Sequence, residues 1–250
     1  MTTRLLPAGL AAALFGAVIA FSSPATAQGA LEAAEKAEIE AVIHDYLMDN
    51  PEVILEAIQG FQQRQKDQAE AQRQQAVRDS LAALREDPAD PVLGNPQGDV
   101  VVVEFFDYQC GYCKRVAEGL QQAVADDGGI KLVMKEFPIL GPASILAAKA
   151  ALAAERQDLY EPFHWALMQN KGSLDEAAID AVAAEVGLDL ERLKADMADP
   201  KIDERLAENY ALAERLDING TPAFVIGEEL VPGALPMEQF RHLVERARQG

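Results

Sequence analysis

Residues 100–115, VVVVEFFDYQCGYCKR, decide how this chain folds. The apolar run at the start predicts a buried strand, residues 107–109 predict a short polar turn, and the helix that follows opens with a cysteine. Cys110 and Cys113 are the only two cysteines in 250 residues. A strand followed by Cys-X-X-Cys at a helix start is typical of thiol–disulfide chemistry.

Cys110 is the candidate nucleophile because of its position at the helix start. Unpaired backbone N–H groups and the positive end of the helix dipole lie there, and both favour negative charge on sulfur. Since the thiolate is the attacking species, we expect Cys110 to attack and Cys113, one turn further along, to resolve the intermediate. The two are expected to form a redox-active disulfide.

Three other uses of a cysteine pair need weighing. Structural zinc takes about four ligands, and His44, His164 and His242 show no ligand spacing, so neither a zinc site nor a cofactor is expected. A soft Cu(I) site needs only the two thiolates and stays open. An inert structural disulfide is disfavoured, because so short a loop removes little entropy from the unfolded chain.

The first 27 residues have the pattern of an export signal. Arg4 is followed by an apolar run and then by Ala25-Thr-Ala27, the small-residue pattern of a cleavage site. We expect cleavage after Ala27 and a mature chain that begins at Gln28. The alternative is an uncleaved membrane anchor, for which the apolar run is a little short.

The net charge of the chain indicates which kinds of partner it is unsuited to bind. The chain has 41 acidic and 22 basic side chains and a formal charge of −19, which loss of Arg4 with the signal would bring to −20. Such a surface repels nucleic acid and anionic lipid headgroups, so no nucleic-acid partner is expected.

Residues 28–90 predict a helical segment ahead of the main domain. Apolar residues recur there at helical spacing, and Asn50 and Pro51 predict the start of a second helix. The apolar face is wider than a lone surface helix needs. We expect it to mediate self-association, and packing onto the chain's own globular domain is the alternative. Residues 87–96 predict a linker.

Residues 91–250 predict an α/β domain. Strand, helix, strand, helical block, hairpin and helix is the order of a thioredoxin fold with an inserted helical subdomain. Phe163 and Trp165, inside the insertion, are predicted core residues. The elements predicted after the cysteine helix are a strand at 130–137, helices within 143–217 that include 143–156 and 203–216, short strands at 223–226 and 229–231, and a final helix at 237–248.

Glu104 is a carboxylate in a strand that otherwise reads as buried on both faces. A buried carboxylate either finds a partner or keeps its proton with a raised pKa. Lying six residues before Cys110, Glu104 could pass protons to Cys113. A Glu104 that points to solvent is the alternative.

The chain resembles the DsbA family of exported thiol–disulfide oxidoreductases. The residues that carry the resemblance are the motif Cys110-Gly-Tyr-Cys113, the strand with Glu104, and a Gly-Thr-Pro sequence that ends at Pro222. It covers about residues 92–250. The resemblance implies a nucleophile at Cys110, a resolving thiol at Cys113, a proton relay at Glu104, a cis-proline facing the disulfide at Pro222, and a backbone that pairs with extended substrates at Thr221.

The sequence departs from the strongly oxidising members of that family between the cysteines. They carry Pro-His, and this chain has Gly111 and Tyr112. Without the imidazole the thiolate should be less stabilised and the disulfide less oxidising. Gly-Tyr and Thr221 instead resemble the exported isomerases, which are oligomers held by an N-terminal module. Residues 28–87 and EFPILGP at 136–142 are similar to a trimeric branch that includes ScsC and alphaproteobacterial DsbA2-type proteins.

We therefore expect a periplasmic disulfide isomerase or reductase that acts on unfolded or misoxidised exported proteins. The resemblance implies a homo-oligomer, with a trimer favoured, and a membrane thiol–disulfide partner that keeps it reduced. One alternative is a monomeric DsbA-type dithiol oxidase. Another is a periplasmic copper-tolerance protein that binds Cu(I) through Cys110 and Cys113.

Overall fold

The computed structural model describes residues 33–249. Contacts divide the chain into two compact units, one up to Gly60 and one from Phe61 onward. The predicted export signal and its cleavage after Ala27 lie outside the described residues. Within 33–249, no helix is both long enough and apolar enough to cross a membrane.

The larger unit is built on a mixed sheet of five strands: β1 (Val92–Gly94), β2 (Val100–Phe106), β3 (Ile130–Glu136), β4 (Ala223–Ile226) and β5 (Glu229–Pro232). Their order across the sheet is β1-β3-β2-β4-β5. The central strand β2 pairs parallel with β3 and antiparallel with β4. β1 and β5 form the edges, each antiparallel to its neighbour.

Helices account for most of the remaining described chain. The smaller unit holds α1 and the first turns of α2. The bounds are α1 (Ala33–Asp49), α2 (Glu52–Asp79), α3 (Leu81–Arg85), α4 (Gly111–Asp127), α5 (Pro142–Glu155), α6 (Tyr160–Gln169), α7 (Glu176–Glu185), α8 (Leu190–Met197), α9 (Pro200–Arg215) and α10 (Met237–Gln249).

Side chains of β2 alternate between two apolar cores, one on each face of the sheet. Val102 and Phe106 enter the core beneath α4, α5, α6 and α10. Val103 and Phe105 enter a second core formed with α3, the end of α2 and the end of α9. This follows because successive side chains of a strand point to opposite faces.

The element order confirms the predicted thioredoxin fold with a helical insertion. Phe163 and Trp165 are buried, as expected of core residues. The predicted helix at 203–216 begins earlier, at Pro200, because the Asp199 side chain caps it by accepting from Lys201 N–H at 2.9 Å.

The segment before β2 is more closely integrated than the sequence indicated. Residues 87–96, expected as a linker, contain β1 and the buried Asp90. Val77 and Leu84, expected in the segment ahead of the domain, are fully buried in the second core. The contacts therefore place the boundary at Phe61, well before residue 91.

A buried ion network fastens the segment before β1 to β3 and α9. Lys135 and Arg205 both contact the Asp90 carboxylate, and the Lys135 and Asp90 side chains are each 1% exposed. Arg205 also pairs with Asp87 at 2.6 Å. Lys135 Nζ donates to the Ala83 carbonyl at 2.7 Å.

Asp90→Asn should destabilise the fold by about 3 kcal/mol, because it leaves two buried cations without their shared counter-charge. We expect the midpoint of urea unfolding to fall at an unchanged m-value. Asp203→Asn is the control, since Asp203 pairs with Lys149 at 2.9 Å but its side chain is 63% exposed. A surface pair contributes roughly 0–1 kcal/mol, so equal losses in the two variants would contradict this account.

Candidate active site

The two cysteines lie where β2 ends and α4 begins. The sequence predicted a helix that starts at Cys110. In the structure Cys110 is the N-cap of α4, and the helix itself starts one residue later, at Gly111. The Cys113 N–H donates to Cys110 Sγ at 3.4 Å. Both cysteines are free and buried, with Cys110 5% and Cys113 1% exposed.

The segment before β4 supplies the other side of the site. Phe105 of β2 pairs with Ala223 of β4, which brings the residues ahead of β4 alongside those that follow β2. In its protonated form, Cys110 donates from Sγ to the Thr221 carbonyl, which lies 3.2 Å away. The Thr221–Pro222 peptide bond is cis, the geometry that the family resemblance implies.

The environment separates the acidities of the two thiols. Hydrogen bonds lower the pKa of Cys110 to about 5, with the Cys113 side chain the largest contributor and the backbone N–H groups of Cys113 and Tyr112 adding to it. Burial raises the pKa of Cys113 well above its usual value, and the Cys110 sulfur raises it further. At neutral pH, Cys110 is therefore a thiolate and Cys113 a thiol.

Glu104 lies inside the protein, on the same face of β2 as Phe106. It is 3% exposed, which excludes the solvent-facing alternative. Burial, followed by the charge of Cys110, raises the pKa of Glu104 to about 8. The charge of Glu104 also contributes to the raised pKa of Cys113. Glu104 is thus a protonated acid at neutral pH that is electrostatically coupled to both sulfurs.

Another buried acid close to the site, Glu136, was missed by the sequence analysis. Glu136, the last residue of β3, accepts at Oε1 from Tyr108 OH at 3.0 Å and from Tyr160 OH at 2.9 Å. Tyr108 OH also lies 2.9 Å from His164 Nδ1. Because Tyr108 stands two residues before Cys110, this cluster fixes the turn that carries the nucleophile.

Burial shifts the pKa values of two members of the cluster around Glu136. Burial raises the pKa of Glu136 well above its usual value and lowers the pKa of His164 to about 3. His164 is therefore a neutral imidazole at neutral pH. Glu104 stood out as a carboxylate among valines and phenylalanines, whereas Glu136 ends a strand that also contains Lys131 and Lys135, so no comparable signal marked it in the sequence.

Asp107 connects the active-site turn to the loop after β3. Its carboxylate accepts from the N–H of Gln109 at 2.7 Å, the N–H of Leu140 at 2.9 Å and Ser144 Oγ at 2.8 Å. Leu140 and Tyr112 are exposed, at 53% and 57%. The cysteines thus share their end of the sheet with exposed apolar side chains.

Metal ligands are sparse in the part of the chain that the structure describes. Among residues 33–249, no three or more His, Cys, Asp and Glu side chains gather in an arrangement that could hold a metal ion. His164 belongs to the buried cluster beneath the turn.

Two family models match the chain. Residues 101–245 match the DsbA-like thioredoxin domain. Residues 35–68 match the N-terminal domain of the copper resistance protein ScsC. The two matches fall on different parts of the chain, one containing the cysteines and the other containing most of α1 and the first half of α2.

Solved structures of related proteins superpose on most of the chain. A thioredoxin-like oxidoreductase from Silicibacter pomeroyi is 49% identical and covers 68% of this chain and 98% of its own, with a TM-score of 0.66. A linker-deletion mutant of Proteus mirabilis ScsC is 31% identical and covers 88% and 98%, with a TM-score of 0.66. The thiol–disulfide exchange protein alpha-DsbA2 of Wolbachia pipientis is 30% identical and covers 70% and 95%, also with a TM-score of 0.66.

A similar sequence also occurs within longer proteins. The Na⁺/H⁺ antiporter NhaA 1 of Salinispora arenicola is 30% identical over 169 residues, which covers 65% of this chain. The chain spans only 26% of that antiporter's length.

The thiolate absorbance of the reduced protein at 240 nm should titrate with a midpoint near the pKa of about 5 of Cys110. Iodoacetamide at pH 6 should label Cys110 before Cys113, because only Cys110 is then ionised. A midpoint near 9, or faster labelling of Cys113, would contradict the site as described.

The lowered pKa of Cys110 also predicts that the stability of the reduced protein depends on pH. The Cys110 pKa is lower in the folded than in the unfolded protein, so the thiolate stabilises the reduced fold fully above pH 9, and that stabilisation is lost as the pH falls towards 5. Thermal unfolding of the reduced and disulfide forms at pH 5 and pH 9 checks this, with the reduced form gaining relative stability at the higher pH.

Proposed function

The chain belongs to the DsbA-like thioredoxin family, and from this premise we propose that it is an exported thiol–disulfide oxidoreductase that acts on protein disulfides as an isomerase or reductase. The observation that carries the proposal is the contrast between an ionised, hydrogen-bonded Cys110 and a protonated, buried Cys113 in one Cys-X-X-Cys motif. A nucleophile and a resolving thiol need these two opposite states.

The reaction follows from these two states. The Cys110 thiolate attacks one sulfur of a substrate disulfide, forms a mixed disulfide and expels the other substrate sulfur as a thiolate. In isomerisation, that thiolate attacks another disulfide of the substrate, and a later substrate thiolate frees Cys110 with no net transfer of electrons. In reduction, Cys113 loses its proton and attacks the Cys110 sulfur, so that the pair is oxidised and two electrons remain on the substrate.

The pKa of Cys110 indicates that the Cys110–Cys113 disulfide would be an oxidant of intermediate strength. That pKa of about 5 lies between the values of ~3.5 for DsbA and ~7 for thioredoxin. A more stable thiolate makes the corresponding disulfide easier to reduce. The Gly111 and Tyr112 pair between the cysteines thus suits a protein that is kept reduced and rearranges disulfides, in preference to one that only inserts them.

Substrate binding is proposed to use the backbone of Thr221. Its carbonyl lies 3.2 Å from Cys110 Sγ, where an extended polypeptide held by main-chain hydrogen bonds would bring a disulfide to the nucleophile. Main-chain pairing is insensitive to sequence, which suits unfolded or misoxidised exported proteins. The exposed Tyr112 and Leu140 offer such substrates apolar contact.

We place the protein in the periplasm, with a membrane thiol–disulfide partner that returns the cysteine pair to the dithiol. The pattern of residues 1–27 supports export. A related structure from Salmonella enterica serovar Typhimurium is described as a periplasmic thioredoxin-like protein, and it is 30% identical over 68% of this chain. Reduction of protein disulfides oxidises the pair, so a reductant of dithiol type must restore it.

Self-association is proposed to use the apolar face of the smaller unit, with a trimer favoured. No residue of α1 is buried in the single chain, and a helix gains little from an apolar face that stays in water. The match of residues 35–68 to the ScsC N-terminal domain supports the same region. The exposed apolar side chains there are Ile39, Val42, Ile43, Tyr46 and Met48 on α1 and Ile54, Leu55 and Ile58 on α2.

A copper-binding role is the second candidate, favoured by the match to the N-terminal domain of a copper resistance protein. Two adjacent thiols are soft ligands suited to Cu(I). Tight one-to-one Cu(I) binding without turnover of protein disulfides would favour this role over the redox one.

Recovery of a scrambled multi-disulfide substrate tests the isomerase proposal. The chain from Gln28 should restore activity to the substrate, and Ile43→Glu with Ile58→Glu should reduce the rate at least about tenfold, because linked sites act on one substrate at high effective concentration. Light scattering should show a single chain in that variant and a multiple in the wild type. Reduction of a small disulfide should be unchanged.

His44→Glu with Gln59→Glu is the matched control. It adds the same charges at neighbouring exposed positions and should leave both mass and recovery unchanged. If the wild type fails to restore the substrate but oxidises a reduced peptide, it is an oxidase. If the wild type has the mass of a single chain, the proposal that the smaller unit mediates self-association is wrong.

Glu104→Gln should slow release of the mixed disulfide about a hundredfold, the lower end of what general acid–base groups contribute. The carboxyl can carry the Cys113 proton and the amide cannot. Formation of the mixed disulfide should keep its rate, as followed by quenched-flow mass spectrometry between pH 6 and 9. An unchanged release rate and pH profile would show that Glu104 relays no proton.

A further inference from the structure

A groove of about 1040 Å³ runs along the outer edge of the sheet in the larger unit. Its walls are the second half of α2, the final turns of α10 and the edge strand β5. It is formed by different elements from those that hold the cysteines. The redox proposal does not use it.

The floor of the groove is an unpaired strand edge. Within residues 33–249, β5 pairs only with β4, so its other side presents backbone N–H and C=O groups. Leu230 and Val231 are partly buried there. An exposed edge of this kind is a template for a further strand.

The groove is lined by more basic than acidic side chains: four arginines, Arg73, Arg78, Arg85 and Arg246, against three glutamates, Glu70, Glu228 and Glu229. Arg73 pairs with Glu70 and Arg246 with Glu229. Within the described residues, Arg78 and Arg85 form no ion pair. Burial lowers the pKa of Arg85, and the charges of Glu228 and Glu86 oppose that lowering. A concentration of guanidinium groups is unusual in a chain with a formal charge of −19.

Arg85 has an unsatisfied hydrogen-bond donor. Its guanidinium donates to the Gly227 carbonyl, but its Nε is buried and has no hydrogen-bond partner. A buried donor without an acceptor is costly. Arg78, exposed on α2, donates only to the Gln75 side-chain oxygen among the described contacts, at 2.8 Å. A carboxylate in the groove would give the remaining guanidinium N–H groups of Arg78 and Arg85 a charge-assisted acceptor.

We propose that this groove binds an extended acidic segment of a partner protein, which adds to the free edge of β5 as a further strand and places carboxylates against Arg78 and Arg85. The strand edge supplies main-chain hydrogen bonds, and the arginines select acidic side chains. The net negative charge of the chain repels such a segment at long range, but at physiological salt charges beyond about 8 Å are screened. The local pairs then decide binding.

One end of the groove lies close to the loop before β4, which faces the active site. At the Pro232 end of β5, the N–H of Gly233 donates to the Pro222 carbonyl at 2.8 Å. A segment lying along β5 would therefore run towards the loop that faces Cys110, and its parent protein would be held next to the active site.

The test uses a fluorescein-labelled hexapeptide that alternates valine with aspartate, so that all carboxylates lie on one side of an extended strand. Fluorescence anisotropy at 0.15 M salt should show saturable binding to the full chain. The same peptide with lysine in place of aspartate should not bind. N-methylation of alternate backbone nitrogens should abolish binding, because it removes the main-chain donors.

Arg78→Gln with Arg85→Gln should weaken binding at least about tenfold, because hydrogen bonds to charged groups are among the stronger ones. Arg78→Gln alone, at an exposed position that the fold does not need, should weaken it about threefold. Arg241→Gln, on α10 outside the groove, is the matched control and should bind as the wild type does. Disulfide reduction should be unchanged in all three variants.

Absence of saturable binding by the aspartate peptide would overturn the proposal. So would equal binding of the lysine peptide, or full affinity in the variant that lacks both arginines. Retention of binding by the N-methylated peptide would overturn the strand addition. None of these results bears on the redox function, which is read from disulfide reduction in the same samples.

Discussion

The Cys110 sulfur lies where the Cys113 N–H at the start of α4 and the carbonyl of Thr221 converge, at 3.4 Å and 3.2 Å. The pairing of β2 with β4 brings these groups together, because Phe105 stands opposite Ala223. A one-residue slip would turn every side chain of β2 to the other face of the sheet. The two apolar cores therefore hold the nucleophile in place by fixing the register of the central strand.

The protonation of Glu104 is coupled to the charge of Cys110. While Cys110 is ionised, its charge helps to raise the pKa of Glu104 to about 8. Formation of a mixed disulfide removes that charge, so the pKa of Glu104 falls, while burial continues to raise it. In the proposed reaction, this is the moment at which Cys113 must lose its proton. Burial of Glu104 thus links its protonation to the redox state of Cys110.

Local patterns predicted much of this structure, and distant contacts escaped them. The strand, turn and cysteine helix follow from neighbouring residues, and the apolar surroundings of Glu104 already suggested an unusual carboxyl. The contact of Tyr108 with His164 joins residues 56 positions apart, and that of Arg205 with Asp90 joins residues 115 apart. No periodicity marks such pairs, because the fold alone brings them together. For the same reason, the expected linker proved to contain β1 and a buried ion network.

The most direct test of this account is a crystal structure of the Cys113→Ser protein with a trapped mixed disulfide to a cysteine-containing peptide. We expect the peptide sulfur to be bonded to Cys110 Sγ and the peptide backbone to form hydrogen bonds with Thr221. A peptide bound through Cys110 that makes no backbone contact with Thr221, or a variant that traps no peptide at all, would contradict the central claim that this sulfur and this carbonyl together form the site of exchange.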